Sequence, residues 1–159
     1  VCKPERVLKN ECAIICITLN GRMKMRVTKI DHIGIAVKSI DESLKLYKDV
    51  LDMDFKGIEE MTDRALKTAF IQAGDSMIEL LEPTSEKSTM AKFLDKKGQG
   101  IHHIALHVEN IQETMESLKE NGYRLLSEEP EKGAHGTKVA FLHPKSTNGV
   151  LLELVEVDH

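Results

Sequence analysis

With 159 residues the chain has room for one domain of ordinary size, or for two small modules that share a core. Hydrophobic residues make up 41% and charged residues 30%, which excludes disorder as a description of the whole. The longest strongly apolar run, Ala13 to Leu19, is far short of the roughly 20 residues a membrane helix needs. A net charge of -4, no Trp and only 4% aromatics leave neither a global positive field nor stacking platforms, so nucleic acid and membrane are not expected partners.

Residues 1–24 read as an N-terminal extension outside the folded body. All three cysteines, Cys2, Cys12 and Cys16, lie there, an odd count that makes no disulfide framework. The lack of cysteine elsewhere fits a reducing cytosol, so a cytoplasmic location is expected.

From residue 27 onward the chain repeats itself. Residues 30–70 match residues 101–141 without a gap at an offset of 71, with Ile30, His32, Ile33, Val37, Ile40 and Glu42 recurring as Ile101, His103, Ile104, Val108, Ile111 and Glu113. After a three-residue insertion, Glu79, Leu80 and Glu82 pair with Glu153, Leu154 and Glu156. Such self-similarity marks a duplicated structural unit.

In the first copy, Ile30 to Val37 reads as a strand. Ser39, with Glu42 three residues on, caps a helix whose apolar positions are Ile40, Leu44, Tyr47, Val50 and Leu51. Strands are expected near Phe55 to Ile58, Ala65 to Ala73 and Met77 to Leu81. Residues 84–100 read as a linker with a short helix around Met90 to Leu94. The second copy gives a strand at Ile101 to Val108, a helix capped by Asn110 and stopped at Asn121-Gly122, and strands near Arg124 to Ser127, Thr137 to His143 and Val150 to Val157. The expected fold is therefore α+β, two tandem βαβββ modules at 27–83 and 101–159 whose strands pair into one curved sheet.

Side chains alternate along a strand. Ile33, Ile35 and Val37 form one apolar face, which sends His32 the other way with the small residues Gly34 and Ala36. His103 repeats this, and its neighbour His102 is expected on the apolar side. Glu79 and Glu153 each sit amid aliphatic residues, where an isolated charge is costly. A pseudo-twofold pairing of the modules would bring His32, Glu79, His103 and Glu153 together, and two imidazoles with two carboxylates suit a first-row divalent ion with positions left open for substrate. His107 lies about 13 Å along the strand from His103 and cannot share that ion. His135 and His143 read as loop residues, His135 with some prospect of substrate contact.

Three longer stretches carry a resemblance: Lys29-Ile30-Asp31-His32-Ile33-Gly34-Ile35-Ala36-Val37, Gly98-Gln99-Gly100-Ile101-His102-His103-Ile104-Ala105-Leu106, and Lys132 to Lys145 with its Gly133-Ala134-His135-Gly136 turn. With Asn148 to Leu154 they resemble the vicinal oxygen chelate (glyoxalase-like) superfamily and, within it, the methylmalonyl-CoA epimerases. The resemblance covers residue 27 to the C-terminus. It implies an isomerase that interconverts (R)- and (S)-methylmalonyl-CoA in propionate metabolism, by α-proton abstraction through a metal-stabilised enolate. It also implies an acyl-CoA partner, a homodimer, and Co as the favoured ion among Co, Mn, Ni, Fe and Zn. Glu153 would be both ligand and base. Some relatives carry Glu where this chain has Thr68, as a proposed second base, and some carry Gln where it has Glu79. Threonine cannot be that base, and Glu79 adds a carboxylate that could share the catalytic work. The alternatives are a glyoxalase I (lactoylglutathione lyase) and a metal-free small-molecule binding protein of the same fold.

Overall fold

The computed structural model describes residues 27–157; the expected extension at 1–24, with its cysteines, lies outside them. Eight strands form one curled mixed sheet: β1 (Val27–Ala36), β2 (Phe55–Met61), β3 (Leu66–Ala73), β4 (Ser76–Pro83), β5 (Gly100–Val108), β6 (Glu131–Lys132), β7 (Lys138–Leu142) and β8 (Leu152–Glu156). Their order is β2-β3-β4-β1-β5-β8-β7-β6. Among the described residues three α-helices accompany them: α1 (Ile40–Leu44), α2 (Thr89–Lys97) and α3 (Ile111–Glu120).

The helix signals in the sequence work through their backbone partners. The Ser39 hydroxyl accepts from the Glu42 amide, and the Asn110 side chain from the Glu113 amide. The recurring Glu82 and Glu156 serve the same purpose, since their carboxylates accept from the amides of Ile40 and Ile111, both at 2.6 Å. A carboxylate at a helix N-terminus satisfies an orphan donor and faces the positive end of the helix dipole.

The cores under α1 and α3 are copies of each other. Val37, Ile40, Ala69, Ile71 and Leu80 pack in the first module, and their counterparts Val108, Ile111, Ala140, Leu142 and Leu154 pack in the second. Burying each larger aliphatic side chain contributes roughly 1.5–3 kcal/mol, so the repeat preserves the positions that hold each helix to the sheet. The opposite face of the sheet, free of helices α1 and α3, lines a cavity.

Two expectations need correction. Val50 and Leu51 do not join the core, being 73% and 54% exposed, because the helix widens into a π-helical stretch at Lys45–Val50 and loses its apolar register. The strand expected near Arg124 to Ser127 is reduced to a single bridge, Leu125 to Leu142, and its continuation resumes only at β6. Between them lies Ser127-Glu128-Glu129-Pro130, polar and ended by a residue with no amide hydrogen to give a ladder.

Candidate metal centre

The register of the central strands brings the site together. Antiparallel β1 and β5 place Ile33 opposite Ile104, its own counterpart 71 residues on, so a pseudo-twofold axis passes between them. On the cavity face this sets His32 opposite Ala105 and His103 opposite Gly34. The parallel neighbours complete the set: Glu79 on β4 lies beside Gly34, and Glu153 on β8 lies beside Ala105.

All four predicted residues are buried and in contact. The Nε2 atoms of His32 and His103 are 3.0 Å apart. Glu153 Oε2 is 2.9 Å from His103 Nε2 and 3.6 Å from His32 Nε2, and Glu79 Oε2 is 3.5 and 3.3 Å from the same two atoms. Donor atoms of His32, His103 and Glu153 all lie within 4.8 Å of one another, close enough to share one ion. The small residues are required: a Cβ on Gly34 would collide with the imidazole of His103.

Charge balance explains what the cluster needs. Burial alone would depress the His32 imidazole, but hydrogen bonds to Asp31, Glu153 and Glu79 prevail, and its pKa is pushed up to about 12. His103 is raised in the same sense, against burial, by Glu153 and Glu79. Burial likewise opposes ionisation of Glu79, yet bonding to both imidazoles holds it down to about 2, and Glu153 is lowered for the same reason. Two buried carboxylates thus call for two positive charges, which two imidazolium groups or one divalent ion supply equally. Two imidazole nitrogens and two carboxylates are also the donor types a first-row divalent ion takes, so the site fits one.

The residues that orient the histidines are Asp31 and His102, which the sequence reading missed or misplaced. Strict alternation sends both away from the site. Instead, the β1–β5 register skips Asp31 between Ile30 and His32, and skips His102 between Ile101 and His103, so each sits at a β-bulge. The bulge turns each residue onto its successor. Asp31 Oδ1 is 3.0 Å from His32 Nδ1, and His102 Nδ1 is 2.9 Å from His103 Nδ1. Burial first, then the nearby His103, pushes the His102 pKa down to about 4, which keeps its ring neutral and able to accept. Fixing Nδ1 in this way leaves Nε2 of both histidines aimed at the cluster centre.

The remaining candidates separate. His107 leaves the site and meets Thr28 Oγ1 at 2.6 Å. His143 caps a short 3-10 turn by accepting from the Lys145 amide. Thr68 is fully buried on the cavity face of β3, its hydroxyl bonded to the Glu59 carbonyl. His135 does reach the cavity, a space of about 720 Å³ that it lines together with Phe70 and the four cluster residues.

Comparison with known proteins places this architecture. The family model described as "Glyoxalase/Bleomycin resistance protein/Dioxygenase superfamily" matches residues 31–141. An ethylmalonyl-CoA/methylmalonyl-CoA epimerase of Cereibacter sphaeroides is 40% identical over 82% of this chain and 99% of its own. The crystal structure of methylmalonyl-CoA epimerase from Mycobacterium tuberculosis superposes with a TM-score of 0.79 at 36% identity, covering 84% of this chain and 90% of that one. A methylmalonyl-CoA epimerase solved with methylmalonyl-CoA and ammonium gives 0.77 at 35% identity, covering 82% and 95%. A protein of Synechocystis named as a probable lactoylglutathione lyase is more distant, at 32% identity over 79% of this chain and 92% of its own. The duplicated βαβββ fold, the paired histidines on its central strands and these relatives agree: the chain belongs to the glyoxalase/bleomycin resistance protein/dioxygenase (vicinal oxygen chelate) superfamily, among its methylmalonyl-CoA epimerases.

Proposed function

We propose that this protein interconverts (R)- and (S)-methylmalonyl-CoA and that His32, Glu79, His103 and Glu153 hold the divalent ion the reaction uses. The observation that supports this most strongly is the convergence of two imidazoles and two carboxylates from repeat-equivalent positions onto one buried point of the cavity. An ion bound there would stabilise negative charge developing on a substrate oxygen. Among first-row ions Co leads on family resemblance.

The chain's own residues then have defined tasks. Glu153, buried at one wall, takes the α-proton that lies between thioester and carboxylate, leaving the electron pair delocalised as an enolate. Glu79, on the other side of the imidazole pair, balances charge and can take a share of that proton chemistry. Asp31 and His102 keep the imidazoles in register, and the apolar wall of buried Phe70 and Val139 with half-buried Phe141 limits the access of water to the carbanion. An acyl-CoA partner, a homodimer and a cytosolic location go with this reading.

Replacing Glu153 by Gln tests it. The amide keeps the shape and one ligating oxygen but cannot accept the proton. Epimerisation should fall on the order of 100-fold or more, together with exchange into deuterated solvent of the α-proton of the epimer that presents it to Glu153, with metal content retained. Exchange at the wild-type rate with stoichiometric metal would leave Glu153 as a ligand only and make Glu79 the base.

A further inference from the structure

Inversion at carbon needs a proton delivered to the face opposite the one from which it was removed, and Thr68 leaves that donor unassigned. The site face of the first module supplies a group for it. Glu59 on β2 lies opposite Thr68 in the ladder, on the same face, and Phe70 on β3 lies opposite Glu79. Over these two residues sits His135, carried there by the loop between β6 and β7. Its ring is tilted against Phe70 at 4.5 Å between centroids. Its Nδ1 is 3.1 Å from Glu59 Oε2, and its backbone N–H donates to the same oxygen at 3.0 Å.

Three features separate this from an ordinary loop histidine. The backbone of His135 is left-handed, with φ 52°, an uncommon conformation that His adopts more readily than most side chains and that is held here by the double tie to Glu59. The repeat places the ring in a meaningful position: Phe141, the counterpart of Phe70, faces the imidazole of His103, whereas Phe70 faces that of His135. And in the strand order, Glu59 and Phe70 stand on the far side of the central β1–β5 pair from Glu153.

From this geometry we infer that His135 is the second proton carrier of the reaction, acting on the face of the substrate opposite Glu153, with Glu59 as its positioning residue. The inference rests on the epimerase reading above. An ionised Glu59 only accepts, so the proton it faces is on Nδ1 and Nε2 is the working nitrogen. In one direction Glu153 takes the α-proton, the C–H electron pair passes into the enolate, and His135 Nε2–H gives a proton to the opposite face as the new C–H bond forms. His135 is left without that proton and Glu153 carries one. With its side chain 59% exposed, His135 can be reloaded from water. The reverse direction runs the same steps backwards, with Nε2 as base.

The experiment is α-proton exchange measured separately from each epimer in deuterated water, alongside inversion, for wild type, His135→Asn and Glu59→Gln. Asn tolerates the left-handed backbone, so the loop is kept. His135→Asn should lose about 100-fold in inversion, yet still exchange the proton of one epimer within threefold of wild type, because Glu153 can remove and return it on its own face. Exchange from the other epimer should fall with inversion. Glu59→Gln should show the same one-sided pattern with a loss of about tenfold. Inversion by His135→Asn within tenfold of wild type, or equal loss of exchange from both epimers at normal metal content, would overturn the assignment. A full one-sided loss in Glu59→Gln without one in His135→Asn would move the role to Glu59. If His135→Asn does not fold, as judged by circular dichroism, His135→Gln and Glu59→Gln decide between these outcomes. A wild type that neither inverts nor exchanges methylmalonyl-CoA removes the epimerase reading itself, a failure distinct from all of these.

Discussion

The two modules agree wherever they hold the centre and differ wherever they meet the substrate space. Helix caps, the Glu82 and Glu156 carboxylates, the aliphatic cores and the bulged residues Asp31 and His102 all superimpose under the repeat. The outer strands do not. The first module ends in the seven-residue β2, laddered to β3 along its length with one irregularity at Lys56, while the second spends the same stretch on an isolated bridge, a polar loop and the two-residue β6. β6 and the loop that follows it cross back to the first module, where Arg64 Nη2 donates to the Lys132 carbonyl at 2.6 Å and Glu59 holds His135. A symmetric pair of modules suffices to hold an ion on its axis. Inversion at one carbon needs a proton-transfer group on each of its two faces, and on the reading proposed above the loop from the second module's edge supplies one of them.

The largest expected effects come from breaking the symmetric part. Replacing His32 or His103 with Ala leaves one imidazole against two carboxylates, so each variant should lose most of its bound metal and nearly all epimerase activity. Metal analysis beside turnover checks this. Because the two are equivalent under the repeat, an effect confined to one of them would contradict the shared site.

A smaller effect separates the two small residues that face the imidazoles. Gly34→Ala pushes a methyl group into the ring of His103 and should weaken metal binding about 10–100-fold, the range typical of disturbed ligand orientation. Ala105→Gly, at the equivalent place opposite His32, only removes a methyl group and should cost about 1 kcal/mol of stability with little change in affinity. Competition titration with a chromophoric chelator gives both affinities; similar values for the two variants would show that His103 is not held as tightly as the register implies.

The smallest effect is one of pH. In the metal-free protein the raised His32 contributes stability that is complete below its ordinary value of 6.5 and is lost as pH rises toward about 12. Glu79, depressed from 4.5 to about 2, contributes stability present above 4.5 and lost as pH falls through about 2. The stripped protein should therefore melt at lower temperature at pH 9 than at pH 6, while the metal-loaded protein, whose imidazoles have already given up their protons, should not. Parallel melting curves for the two forms would contradict the charge balance.

How much of this was legible in the sequence depended on whether the information was local. The offset of 71, the caps at Ser39 and Asn110 and the period-two placement of His32 and His103 are local patterns, and they led to the fold and to the four cluster residues. Asp31 and His102 escaped because a β-bulge adds a residue to a strand without changing its composition, so alternation assigned both to the wrong face. Val50 and Leu51 escaped because widening to a π-helix shifts the apolar register within an unbroken hydrophobic pattern. The pairing of Glu59 with His135 spans 76 residues and arises from the way the sheet curls, which neither segment encodes alone. Through the family resemblance the sequence did mark Thr68 as leaving the second proton donor unassigned.

Metal dependence follows from the proposed reading, in which a divalent ion on the pseudo-twofold axis makes this chain a methylmalonyl-CoA epimerase. It is tested most directly by following conversion of (2S)- to (2R)-methylmalonyl-CoA by the full chain before chelation, after removal of bound metal, and after adding back one equivalent of Co. The expected results are rapid conversion, near-complete loss, and recovery at one ion per chain. Undiminished conversion by protein shown to be free of metal, or conversion absent at full metal occupancy, would contradict it.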